Sequence, residues 1–78
     1  MIQKIRQDKN IGDNLKDLRY KSGLSQEKLC VRLQQMGCDI TRSCYAKYEA
    51  GELNVKVSVL KALKNLYQCE YDDFFKGV

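Results

Sequence analysis

Arg42, Ser43 and Lys47 stand close together in a segment, residues 41–50, whose other outward positions are alanines. At about 100° per residue, Ser43, Ala46, Lys47 and Ala50 share one side of a helix, with Arg42 beside its start. Tyr45, Tyr48 and Glu49 take the other side. The outward side is small and flat, so its chemistry reads as recognition. A long cation, a guanidinium and a hydroxyl donate hydrogen bonds, and small neighbours let the helix backbone approach a flat edge. A helix seated in a DNA major groove has this composition. A second binding group is the helix start at Ser25, Gln26 and Glu27. Its free backbone N–H groups suit a phosphate.

The sequence holds no histidine, which removes the commonest general base. No glycine-rich phosphate loop or paired-carboxylate motif takes its place, so the chain reads as a binding protein and not an enzyme. Cys30, Cys38, Cys44 and Cys69 form no C-x-x-C pair. Without histidine, a zinc site would need all four thiolates. They read as free thiols in helix-packing or helix-surface slots, and neither metal nor cofactor is implied.

These groups need a frame to position them. Leu29, Leu33 and Met36 repeat at the spacing of one helical face, on a helix capped by Ser25. Its N3 position is Lys28, not the Glu or Gln of a capping box. Gly37 breaks the pattern, Ile40 returns as an apolar anchor, and Thr41 caps the next helix. Gly51 ends that helix as a left-handed residue. Upstream, Ile11, Leu15, Leu18 and Ser22 line a helix over about 11–22, with Arg19 at the margin of the face. Asn10 serves as its cap, Asp13 lies in its first turn and Gly23 closes it, with Leu24 tying the turn to the core. Downstream, Val57, Leu60, Leu63, Leu66 and Tyr67 predict a helix over 55–67. The alternation of Val55, Val57 and Val59 hints at a strand, but a lone strand has no partner. Glu70 to Lys76 predicts a short fifth helix, with Tyr71 and Phe74 packed against Leu63 and Leu66 and Phe75 left outside.

Seventy-eight residues make one domain, which buries only roughly 60% of its unfolded surface. There is no proline, no repeat and no linker. No apolar run approaches the ~18 residues of a membrane span, and the N-terminus lacks the apolar stretch of a signal peptide. The chain therefore reads as a soluble, cytoplasmic protein. Net charge is +4, and residues 1–50 hold ten Lys/Arg against six Asp/Glu while residues 51–78 hold four of each. The positive excess thus lies entirely in the half that contains the flat helix. A nucleic-acid face shows this asymmetry, as does a solvated basic surface. Residues 1–10, with Lys4, Arg6 and Lys9, read as a basic arm that either frays or touches DNA. Residues 11–78 form the domain.

Three stretches, IGDNLKDLR, GLSQEKL and TRSCYAKYEAG, resemble the Cro and phage-repressor type of helix-turn-helix, the XRE family. LKALKNLYQCEYDDFF is similar to the family's closing pattern of an apolar helix and then a short acidic-aromatic one. The resemblance spans residues 11 to 75. It implies an all-α, lambda-repressor-like domain of five compact helices with a helix-turn-helix. By position, the family's phosphate-clamping glutamine falls on Gln26 and its recognition helix on Thr41 through Ala50. Thr41 and Cys44 fall where DNA-backbone contacts are usual, and Arg42, Ser43 and Lys47 where base edges are read. The family's helix-one arginine and recognition-helix glutamate, which often pair at the margin of the core, fall on Arg19 and Glu49. One departure is the 23-position spacing from Gln26 to Glu49, more than a helical turn longer than in compact members. The extra residues fall around Gln34 to Asp39, a variant turn that leaves the angle between the two helices open.

The implied function is a sequence-specific DNA-binding transcriptional regulator, repressor-like and bacterial or phage in origin, working at the nucleoid. Its partner is double-stranded DNA, with two copies on a pseudo-palindromic operator. Four of the seven aromatics (Tyr67, Tyr71, Phe74, Phe75) lie in the last twelve residues. They suggest a weak homodimer through the C-terminal helix, with Tyr71 and Phe75 as contacts. The alternative is an antitoxin-like protein-interaction module that no longer reads DNA. Its cationic, small-residue outer face is one that protein interfaces seldom favour.

Overall fold

The computed structural model describes residues 11–78, and the expected basic arm lies outside them. Four α-helices follow one another: α1 (Gly12–Ser22), α2 (Gln26–Gln35), α3 (Arg42–Ala50) and α4 (Val57–Tyr67). A 3-10 turn, Tyr71–Phe74, follows α4. The expected fifth helix over Glu70–Lys76 is thus only this single turn. Asp73 accepts from Glu70 N at 2.9 Å, and Phe75 leaves the helical path. No helix among the described residues is long and apolar enough to cross a membrane.

Local signals set most of the boundaries. Ser25 and Thr41 each have extended backbone and accept from the N–H three residues on, Lys28 N at 3.1 Å and Cys44 N at 3.1 Å. Each bond satisfies one of the helix's orphan donors. Gly23 and Gly51, with φ of 76° and 77°, close α1 and α3 in the left-handed region, which an L side chain enters only with strain. At the start of α1 the expectation fails. Ile11 occupies the cap position and makes no side-chain cap bond, and Asn10 lies outside the described residues.

Fully buried Leu15, Leu29, Leu33, Tyr45, Leu63 and Phe74 form the centre of the core, so every element contributes to it. α3 packs against both α1 and α2, α2 meets α4, and the 3-10 turn closes on α1. Asn14 fastens that closure by donating to the carbonyls of Phe74 and Lys76 at 2.8 and 2.9 Å.

Three apolar positions depart from the periodic reading. Met36 is exposed because α2 has already ended at Gln35. Gly37 has a φ of 89°, and Cys38 N returns to Leu33 O at 2.9 Å. The chain has turned before Met36 can continue the Leu29–Leu33 stripe. Val57 is exposed because α4 begins there, with Lys56 as cap and not at 55. It lies about 200° around the helix from buried Val59, which takes the inward place. Tyr71 is half-exposed while Phe74 is fully buried, since the short turn presents only one ring to the core.

Candidate nucleic-acid interface

The connection between α2 and α3 is an ordered turn. Gly37 N bonds Gln34 O at 3.0 Å, and the Gln34 side chain spans the loop to Ile40 O at 2.9 Å. Ile40 is buried, so the residue just before the Thr41 cap is anchored and the start of α3 is held.

α3 is sharply two-sided. Tyr45, Tyr48 and Glu49 are buried, whereas Arg42, Ser43, Lys47 and Ala50 are exposed. Glu49 is the fastening point on the buried side. Arg19 grips it with two nitrogens, Nε to Oε2 at 2.7 Å and Nη2 to Oε1 at 3.1 Å. The two side chains are only 9% and 3% exposed. Arg19 Nη1 also donates to Leu24 O at 3.0 Å, which ties the turn after α1 into the same knot. Gln26 adds its amide, Nε2 to Glu49 Oε1 at 3.0 Å. The carboxylate thereby gathers residues from α1, α2 and α3.

Burial alone disfavours a charged Glu49, but the hydrogen bonds from Arg19 and Gln26 and the guanidinium charge outweigh it. The carboxyl is held below its ordinary value, and the same bond with Glu49 raises Arg19 further. Glu49 is therefore ionised at neutral pH, so the pair is a charged clamp. Beside it, burial pushes Tyr45 up strongly and Tyr67 up to about 12, so both phenols are neutral.

The six residues expected at a DNA surface divide into groups. Arg42, Ser43 and Lys47 surround one shallow concavity of about 510 Å³, together with Ala46, Ala50 and Glu52. Thr41 and Cys44 face a different concavity of about 560 Å³, bounded by the α2–α3 turn and α4, which also takes in Lys56 and Lys61. Gln26, half-buried, is joined to Glu49 on neither of these faces.

Two residues here escaped the sequence reading. Lys56 brings a cation to the Thr41 flank although it lies outside the recognition segment. Glu52 reaches the Lys47 patch because the left-handed Gly51 folds the chain back and returns Glu52 N to Lys47 O at 2.9 Å. A glycine at C′ signals such a reversal, so Glu52 could have been placed from sequence.

All four cysteines are free thiols. Burial raises Cys30, Cys38 and Cys69, which keeps them in the unreactive protonated form. Among the described residues no group of His, Cys, Asp and Glu is arranged to hold a metal.

In comparison with known protein families, the helix-turn-helix domain family matches residues 10–73. No curated protein and no solved structure matched. The match takes in all four helices and most of the final turn, and the chain belongs to the helix-turn-helix domain family.

Proposed function

We propose that this helix-turn-helix domain is a sequence-specific DNA-binding regulator of transcription that acts by occupying an operator. The observation that carries this reading is the two-sidedness of α3. Its inner side is locked by Tyr45, Tyr48 and Glu49, and its outer side offers Arg42, Ser43 and Lys47 between alanines. A helix so fastened presents its donors at a fixed height and angle, which base-edge recognition requires. Lys47 reads a base, with guanine the best match to a donating ammonium, and Arg42 and Ser43 reach bases or the phosphates beside them. Thr41, Cys44 and Lys56 lie along the flank and contact the backbone. Gln26 adds a phosphate contact at the start of α2.

One domain of this size buries too little DNA surface for tight binding. Two copies therefore bind a pseudo-palindromic site, joined weakly through half-exposed Tyr71 and Phe75. The domain works in the cytoplasm of a bacterial cell, at the nucleoid, and blocks or assists polymerase from its site without performing chemistry. The test is selection of duplexes from a random-sequence library, followed by affinity measurement at several salt concentrations. A regulator enriches a defined, two-fold-related sequence, and its affinity falls steeply with salt. A protein-interaction module enriches nothing.

A further inference from the structure

Among the described residues, Glu52 is the one acidic residue around the concavity that holds Arg42, Ser43 and Lys47. We propose that it reads a base: its carboxylate accepts a hydrogen bond from the exocyclic amino group of a cytosine beside the base that Lys47 contacts. The inference rests on the DNA-binding reading above and adds a specificity-determining residue outside the recognition helix.

Glu52 is held in place by backbone. Gly51 takes a φ of 77°, and Glu52 N bonds Lys47 O at 2.9 Å, which seats residue 52 beside the last turn of α3. Ala46 and Ala50 complete the concavity with methyl groups only, so among the described residues nothing between Lys47 and Glu52 competes for a base edge. Among the described residues the Glu52 carboxylate has no ion-pair partner, and the residue is exposed. Its charge is therefore free for a ligand.

Electrostatics then chooses the ligand. A carboxylate beside a DNA phosphate is repelled, so an acidic group that shares a concavity with Arg42 and Lys47 weakens binding unless it meets a donor. The major groove offers two donors, the amino groups of cytosine and adenine. Adenine carries its N7 acceptor beside the amino group, which a second carboxylate oxygen would oppose. Cytosine presents its donor without that neighbour. Lys47 donating to guanine and Glu52 accepting from cytosine are complementary to the two halves of one G·C pair, or to adjoining pairs.

The experiment selects sites from a random duplex library with wild type, Glu52→Ala and Glu52→Gln. It then measures affinity for the selected duplex and for random duplex at one salt concentration. Wild type enriches cytosine at one position of each half-site. Glu52→Ala loses that preference, on the order of tenfold in discrimination, while its affinity for random duplex does not fall. Glu52→Gln moves the preference to adenine, whose edge matches an amide that both donates and accepts. If both variants enrich the wild-type sequence unchanged, or if Glu52→Ala weakens random and selected duplex alike, the inference is overturned while the DNA-binding reading stands. A wild type that enriches no sequence overturns both.

Discussion

Gln26 donates its side-chain amide to Glu49 at 3.0 Å, joining the first residue of α2 to the last turn of α3. The same carboxylate receives Arg19 from α1 at 2.7 Å. Side chains from α1 and α2 thus meet on one buried group of α3, across the turn that joins α2 to α3. Packing of Leu29, Leu33 and Tyr45 supplies the attraction, and the carboxylate supplies the register.

That arrangement makes Arg19 and Glu49 unequal to the sum of their single losses. Arg19→Met or Glu49→Met each strands a buried charge and costs about 3–5 kcal/mol. The double variant leaves no stranded charge and costs less than either single change. Thermal or urea melts of all three, set against wild type, close the cycle. Near-zero losses in the single variants would show a pair that contributes nothing.

The pair also has an acid limb. Glu49 is held below its ordinary carboxyl value in the fold, so the folded state binds its proton less readily than the unfolded chain. The stabilisation is fully present above the unfolded carboxyl pKa and is lost as pH falls through the lower, folded value. Wild type therefore loses stability on acidification more steeply than Glu49→Gln, whose amide does not titrate. Parallel urea midpoints of the two proteins from neutral pH downward would count against a charged clamp.

On DNA, Lys47→Ala costs roughly 1–3 kcal/mol on a selected site and relaxes preference at one base position. If Gln26 contacts phosphate as proposed, Gln26→Ala weakens selected and random duplex alike. It also leaves Glu49 one hydrogen bond short, so its melt shows a small loss that Lys47→Ala does not share. Competition binding on matched and single-substituted duplexes separates the two patterns. A Lys47→Ala protein with unchanged affinity and preference rules out the recognition role of α3.

Thr41 has a structural duty that is independent of any DNA contact. Its Oγ1 accepts from Cys44 N at 3.1 Å, and loss of such a cap costs about 1 kcal/mol. In a domain of this size Thr41→Ala lowers Tm by roughly 4–8 °C, whereas Thr41→Ser, which keeps the oxygen, holds it near wild type. Differential scanning fluorimetry is sufficient. Equal melts for Ala and Ser would place the hydroxyl outside the folding energetics.

For self-association, Phe75 is exposed at the end of the chain. Its burial and that of part of Tyr71 contribute a few kcal/mol at most, at about 25 cal/mol per Å². Sedimentation over a concentration range shows weak dimerisation of wild type, strengthened by an operator duplex and reduced in Phe75→Ser. A strictly monomeric wild type that loads onto DNA one copy at a time would end this idea.

Much of the molecule was already written in short-range patterns of the sequence. Ser25, Thr41, Gly23 and Gly51 act on neighbours within a few residues, through one hydrogen bond or one permitted φ, so they set helix ends without reference to the rest of the chain. The two-sidedness of α3 follows equally from 3.6-residue periodicity, and that is why its exposed donors could be named at the outset. What the tertiary structure decided depends on where distant segments meet. Gln26 joins Glu49 across 23 positions, and its likeness to a family's phosphate contact gave no hint of that inward partner. Thr41 and Cys44 line a second concavity with residues of the turn and of α4, apart from the Lys47 patch. Val57 and Tyr71 carry apolar side chains at helical spacing, yet Val59 and Phe74 take the inward places. Periodicity states which residues can share a face, and only the position of the opposing helix determines which of them finds a surface to bury against.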